Sequence, residues 1–560
     1  MRLLRDWNLW KFVWGLTGLL LLAQIAQAAE PLAVVRIAPL RECRADMKVV
    51  QEILGTEEDA ATRAMGWLLE RMETLTKNGL DDSRPLGLAA VSMGGDRVVW
   101  VAAVPTTDVH ALHGVVEPWI GDVEEKEGGV VKFTFLGKEL YANLGAGWVY
   151  VSEKQAAVSR VPASPEPWLE GFDPQWDVAV RINVPQVLAS FGTRLGAWVE
   201  KVKDKARRED QRHPLAATVV PQILAVASAA TVETQELIVG WQVDQENQKV
   251  RCVCRCVALP NTNLARYFAG QQNVTSPLVA LRHWPDAVFS AGWASTFPTP
   301  PEEELEKIGQ ALRAEMERVI EKGIHKAEDA NLVRELFEEW LRIADDWVHQ
   351  GRYEGAVTLV AKPDQLTLVG AKFVGNSHAA EEFVGHLVES ARARFPKLFE
   401  RITVTPDYAR HGDAVIHLME IDLGDKLKPE QKAFIGDKLE VAFTAANGYA
   451  GVAIGKNAVA MLKRAIDDCV AQGEQAAPSF EMRASIEKMT DVCAQLNPRN
   501  KRVQQIKEYL HQNDREELVT ARATTSGQSA EVVWEADLRL MRVGRMVRHP
   551  DPTVTQNLHP

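Results

Sequence analysis

The chain has 560 residues, of which 46% are hydrophobic and 25% charged, and its formal net charge is −12. That composition is ordinary for globular proteins, and the length suits about three or four domains of ~150 residues each. An acidic chain without a long basic tract is a poor binder of nucleic acid, which is therefore not an expected partner.

The first residues carry a targeting pattern. Arg2, Arg5 and Lys11 precede an apolar run from Leu16 to Leu22, and Ala26-Gln27-Ala28 supplies the small-x-small site that signal peptidase reads. A signal peptide over 1–28 is expected to be cleaved, leaving an exported protein, periplasmic or associated with the cell envelope. The alternative is a retained anchor, because the run approaches the length of a bilayer core. Nothing downstream predicts a second membrane span.

From residue 86 onward, landmarks recur in one order. PLGLAAVSMGGDRVVWVAAVPTTDVHALHGVV reads as strand, turn, strand and helix, and so does YEGAVTLVAKPDQLTLVGAKFVGNSHAAEEFVGHLV. Asp96 and Asp364 stand equally far beyond Gly87 and Gly355, which aligns the two glycines. KFTFLGKELYANLGAGWVYVSEKQAAVSRV pairs with KLEVAFTAANGYAGVAIGKNAVAMLKRAI, and QWDVAVRINVPQVL with SFEMRASIEKMTDVC. The hairpin ELIVGWQVDQENQKVRCVCRCVAL pairs with ELVTARATTSGQSAEVVWEADLRL. Collinear matches are the signature of an internal repeat.

The expected fold is α+β, built of two tandem diverged modules, each an antiparallel sheet packed with amphipathic helices. The first module spans 29–275, with parts at about 34–161 and 176–275. The second spans 276–549, with parts at about 276–471 and 479–549, and 550–560 is a tail. The largest difference is helical. Thr299 is the expected N-cap, with Pro300 at the first helical position and Glu302 completing a capping box, ahead of a long helical stretch broken at Gly323. Its counterpart near Ala60–Lys77 is shorter.

Catalytic signatures are missing where they would be sought. Ala90-Val91-Ser92-Met93-Gly94 approaches a nucleophile elbow, but a second strand follows where the elbow needs a helix. His110 and His113 are three apart on one predicted helix, and His378, Glu381 and Glu382 sit on the matching helix of the second module. No third-ligand pattern accompanies either set. Cys252, Cys254 and Cys256 alternate along a predicted strand, a spacing that does not bridge and has no CxxC or histidine partner. Cys43, Cys469 and Cys493 stay open as bridging partners. No cofactor or metal is expected, and no catalytic residue is assigned.

The candidate contacts are aromatic and basic. Among the 16 tryptophans, Trp148, Trp168, Trp176, Trp241, Trp284 and Trp293 fall along the strand-rich middle, where exposed rings could stack on sugars or line a cavity. Arg539, Arg542, Arg545 and Arg548 form a basic stretch in an acidic chain. Trp148, Trp241, Trp293, Arg539, Arg542 and Arg545 are taken as ligand or partner contacts.

WDVAVRINVPQVL, then ELIVGWQVDQENQKV and VALPNTNLARYFAG, resemble an uncharacterised family of exported, signal-peptide-bearing proteins abundant in planctomycete bacteria. The resemblance implies an envelope location and supplies no site residues. Together these readings point to a noncatalytic binding or scaffolding role in the envelope, with a protein, polymer or lipid partner. The rivals are an envelope-polymer hydrolase using dispersed carboxylates and a periplasmic carrier of an apolar ligand.

Overall fold

Val99, Val101, Ala103 and Pro105 alternate with less buried neighbours along Val98–Pro105, so one face of this strand is closed to water. That period of two recurs through the chain and assembles antiparallel sheet. The structure, a computed structural model, describes residues 31–54, 60–93, 97–145, 147–208, 214–324, 326–424, 429–512 and 518–548. The expected signal peptide, the tail and Asp96 lie outside these residues. No helix among the described residues is long and apolar enough to cross a membrane.

The chain divides into two units, Met1–Val202 with Ala227–Leu264, and Lys203–Val226 with Ala265–Pro560. The strands of the first are β1 (Ala33–Ile37), β2 (Leu86–Ser92), β3 (Val98–Pro105), β4 (Ile120–Glu125), β5 (Val130–Phe135), β6 (Lys138–Gly145), β7 (Trp148–Ser152), β8 (Val178–Asn183), β9 (Thr234–Asp244) and β10 (Lys249–Ala258). Their pairings are all antiparallel and give the order 4-5-6-7-3-2-1-8-9-10.

The second unit supplies β11 (Ala287–Thr296), β12 (Arg352–Lys362), β13 (Gln365–Phe373), β14 (Ile402–His411), β15 (Ala414–Asp422), β16 (Lys438–Ala446), β17 (Tyr449–Gly455), β18 (Phe480–Ser485), β19 (Leu518–Ser526) and β20 (Ser529–Asp537). Here too every pairing is antiparallel, and the order is 14-15-16-17-13-12-11-18-19-20. Each strand takes the place of the one ten numbers lower.

Helices fall at matching points. In the first unit α1 (Leu40–Leu54) and α2 (Ala60–Lys77) precede β2, α3 (Val109–Val116) follows β3, and α4 (Gln155–Val158) and α5 (Glu166–Leu169) follow β7. The helices α6 (Val184–Arg208) and α7 (Pro214–Val232) separate β8 from β9, their stretch Lys203–Val226 belonging to the second unit, as does α8 (Asn263–Gln271), which follows β10, from Ala265 on. In the second unit α9 (Val279–Arg282) precedes β11, and α10 (Glu302–Gly323) and α11 (Ala327–His349) lead to β12. Then α12 (Ser377–Arg394) and α13 (Pro396–Phe399) follow β13, α14 (Pro429–Ile435) precedes β16, and α15 (Ala458–Gln472) follows β17. Finally α16 (Ile486–Leu496) and α17 (Lys501–Leu510) separate β18 from β19, and α18 (Arg539–Arg548) follows β20.

In both units helices cover both faces of the strands, so the strands serve two cores. Along β16, Ala442 joins Met461 and Leu462 of α15 in one core, while Phe443 and Ala445 meet Ala380 of α12 and Ile343 of α11 in the other. In the first unit Phe191 and Val187 of α6 pack with Ala33 and Ala90. Leu169 of α5 covers the opposite face, over Gly87.

Two expectations shift. The helix after residue 299 starts at Glu302 with Pro301 at its cap, not at Thr299. Pro301 disfavours a helical Pro300, and Thr299 instead donates its hydroxyl to the carbonyl of His349 at 3.3 Å. The second shift concerns register. Ile182 pairs with Ala33 and Ala33 with Ala90, and the matching positions are Ala484, Phe289 and Leu359. Counted from these, Gly87 corresponds to Ala356, one residue from the Gly355 that sequence alignment selects.

That count also identifies Arg36 with Gly292, and Trp176 with Pro478. Arg36 donates Nη1 to the carbonyl of Trp176 at 2.9 Å. Gly292 has no side chain to do so, and Arg282 of α9 crosses it to donate Nη1 to the carbonyl of Pro478 at 3.4 Å. A Cβ at position 292 would lie 2.2 Å from Nε of Arg282. A buried guanidinium thus reaches the same carbonyl in each unit, from the strand in one and from a helix in the other. Burial lowers the pKa of both.

Candidate functional site

The tryptophans divide by burial. Trp148 on β7 is 3% exposed and lies under the Arg84 guanidinium, 4.8 Å from its ring centre. Trp241 on β9 is 37% exposed, with β3, β2, β1 and β8 separating it from β7. In the second unit Trp293 on β11 stacks on Tyr353 at 6.0 Å and lies over Gly355, where a Cβ would come within 2.4 Å of the indole. Trp176 and Trp284 are buried.

The basic stretch is not one charged face. Arg539 is buried and forks onto Asp537 through Nε at 2.9 Å and Nη2 at 2.8 Å. Arg542 covers the Tyr509 ring at 4.9 Å, and Arg545 is half-buried beyond it on α18.

Ser92 is buried at the end of β2, its hydroxyl without a hydrogen-bond partner, and it pairs with Val98 inside a hairpin. His110 and His113 are exposed on α3, which Asp108 caps. All six cysteines are free thiols. Burial and then the nearby Asp177 push the Cys43 thiol up to about 12.

Two carboxyl clusters form that spacing did not reveal. In the first unit, burial and a hydrogen bond with the Asp46 carboxyl push Asp177 up to about 7. Asp177 also accepts the Val243 amide at 2.6 Å, and Asp46 accepts Gln245 Nε2 at 2.7 Å. The pair ties α1 to the β9–β10 turn.

In the second unit Glu354 is 1% exposed. It accepts the Ser276 hydroxyl at 2.6 Å, the Tyr449 phenol at 2.9 Å and Arg352 Nε at 2.6 Å. Burial and the Glu354 charge raise the phenol's pKa. Both clusters spend their oxygens on groups of the fold.

Each unit also has a cleft. That of the second, about 500 Å³, lies between α11 and α12 and is lined by Glu339, Asp346, Glu382, Glu389, Arg342 and His386 among others. That of the first, about 480 Å³, has Pro31, Pro162, Pro167 and Trp168 among its apolar walls, and Arg181, Asn183, Gln235 and Glu236 as its polar ones. Arg181 holds Trp168 in place by donating Nη2 to its carbonyl at 2.9 Å and Nη1 to that of Glu170 at 2.7 Å. The ring of Trp168 also meets Tyr150 edge-on at 6.3 Å.

An indole, prolines, two amides, one carboxylate and the Arg181 guanidinium suit a ligand with an apolar face and several hydroxyls. The glycosidase arrangement needs two carboxyls across the scissile bond, and this lining has Glu236 alone. Sequence reading placed Trp168 among the central tryptophans without separating it from the buried ones.

A third polar group joins Glu381 of α12 to Asp407 and His417 of the β14–β15 hairpin. Glu381 Oε1 lies 3.0 Å from His417 Nε2, and Asp407 Oδ1 lies 3.7 Å from Nδ1. Glu381 thus turns toward the sheet, while His378 faces solvent with Glu382 at 3.3 Å. Neither Asp407 nor His417 stood out in the sequence, because strand pairing alone brings them together.

No family model matches the chain, and no curated protein is significantly similar to it. Among solved structures, crystal form III of TP0453 aligns over 43% of this chain and 80% of its own, at 8% identity. Its TM-score of 0.22 carries no argument about fold or function.

Proposed function

We propose that this is an exported, noncatalytic binding protein of the cell envelope, and that the Trp168 cleft holds a short stretch of a hydroxyl-rich polymer such as a glycan. The observation that carries the reading is the cleft lining itself: the Trp168 indole, whose backbone carbonyl Arg181 holds, lines it with two amides, one guanidinium and one carboxylate. Export rests on the N-terminal pattern and on the family resemblance. The reading also takes the chain to be a tandem of two diverged copies, supported by the shared strand order and by the matched Arg36 and Arg282 contacts.

Duplicated chemistry would leave the same reactive groups at matching positions. The Asp46–Asp177 pair is the one feature that favours a hydrolase, and its oxygens are already engaged by Val243 and Gln245. Titration calorimetry of the full chain against a panel of neutral oligosaccharides tests the proposal. Binding should weaken at least 10-fold in Trp168→Ala and in Gln235→Ala, with every oligosaccharide recovered intact. Cleaved products, or affinity indifferent to both substitutions, would reject it.

A further inference from the structure

We propose that Glu381, Asp407 and His417 form a binding site for one zinc-class divalent cation in the second unit, independent of the glycan cleft. Each residue offers one ligand atom, and these atoms lie within 4.8 Å of one another. They come from separate parts of the fold: α12, the irregular middle of β14, and β15. Among the described residues this is the one group of three histidine, cysteine or acidic side chains that converges in this way.

The packing around the group orients it. The His417 ring stacks on Phe443 at 6.2 Å with an interplanar angle of 29°, and its Nε2 faces Glu381 while its Nδ1 faces Asp407. The hairpin pairing of β14 with β15 slips between Thr405 and Ala409, and Asp407 sits in that irregularity with its amide 3.2 Å from Nδ1 of His417. Glu381 is delivered by a helix that Asn376 caps and that packs on β16.

The donor set selects the ion. One imidazole and two carboxylates carry two negative charges, which a divalent cation neutralises. Calcium and magnesium prefer all-oxygen shells, whereas an imidazole suits zinc and its first-row neighbours. Zinc bonds of about 2.0–2.2 Å place neighbouring ligands roughly 3–3.6 Å apart, so the His417 Nε2–Glu381 spacing of 3.0 Å needs no change, while the Asp407 carboxylate, which lies nearer Nδ1, must turn toward the same ion. The side chain of Asp407 is 70% exposed, which leaves the site open to water or to an incoming ligand at its outer positions.

Surface histidines paired with acids are the alternative source of zinc affinity. His511 provides the comparison, with Glu487 at 3.0 Å from Nδ1 and Asp491 at 2.9 Å from Nε2. Among the described residues, Glu487, Asp491 and His511 do not bring one ligand atom each within 4.8 Å of one another, as Glu381, Asp407 and His417 do.

The test is zinc titration of the full chain, freed of metal with a chelator and with its thiols alkylated. Calorimetry and metal content after desalting give the affinity and stoichiometry. One zinc per chain is expected, with affinity at least 100-fold lower in His417→Ala and in the isosteric Glu381→Gln, and unchanged in His511→Asn. Thermal unfolding without metal checks that the variants fold, and zinc should raise the Tm of the parent but not of Glu381→Gln. No zinc uptake by the parent overturns the proposal, and so does zinc retained by Glu381→Gln or lost from His511→Asn.

Discussion

Glu354 accepts three hydrogen bonds while almost wholly removed from water, so its charge is tolerated only because Arg352, Tyr449 and Ser276 surround it. Glu354→Ala would leave Arg352 without its carboxylate partner, and a broken buried pair costs about 3–5 kcal/mol. Arg352 retains Glu474 at 3.2 Å, so the loss should fall toward the lower end of that range in denaturant unfolding. Asp177 behaves differently because its fold favours the protonated form. An unfolded aspartate titrates near about 3.9, and in the fold burial and Asp46 push the group up to about 7. Between those values the folded state binds more protons at this group, so its contribution to stability is fullest at acid pH and falls as pH rises toward neutrality. Asp177→Asn should flatten that decline, which unfolding midpoints measured at pH 4, 5.5 and 7 would register. None of these partners is near in sequence, and spacing along a helix or strand offers no means of pairing Asp46 with Asp177.

At the scale of single elements, caps and close approaches set the positions of the functional side chains. Asn376 accepts the Ala379 amide at 3.1 Å and fixes the start of α12, the helix that carries Glu381. Asn376→Ala should cost about 1 kcal/mol in stability, and it should weaken zinc binding without abolishing it. Gly355 is small because Trp293 lies across it. Gly355→Ala would overpack that contact and should destabilise by about 1–3 kcal/mol in the same denaturant assay. The hairpins of β2–β3 and β12–β13 were legible in the sequence because alternation and turn residues mark them locally. Their relative register was not. Gly87 yields space to Leu169 and Gly355 to Trp293, on faces one residue out of step, so two glycines with unrelated causes looked equivalent. A slip of one residue exchanges the faces of a strand, and only the hydrogen-bonded partners detect it.

For the whole molecule, two compact units with their own cores predict two unfolding events. Calorimetry should resolve them, with Gly355→Ala lowering the transition of the second unit and Asp177→Asn altering the pH response of the first. A single transition moved equally by both substitutions would count against separate cores. The α+β class was readable from alternating strands and amphipathic helices, since burial follows those periods directly. The aromatic contacts were not, because Trp148 and Trp241 have similar strand settings and differ only in what covers them.

The guanidinium that reaches Trp176 from a strand and Pro478 from a helix has a further consequence, for recombination between the halves. Grafting β11 in place of β1 would bring Gly292 where Arg36 stands and leave the Trp176 carbonyl without its donor. The reciprocal graft would set Arg36 against Arg282, two cations in a space that holds one. Segments that occupy the same place in the strand orders of the two units are therefore not interchangeable at this contact.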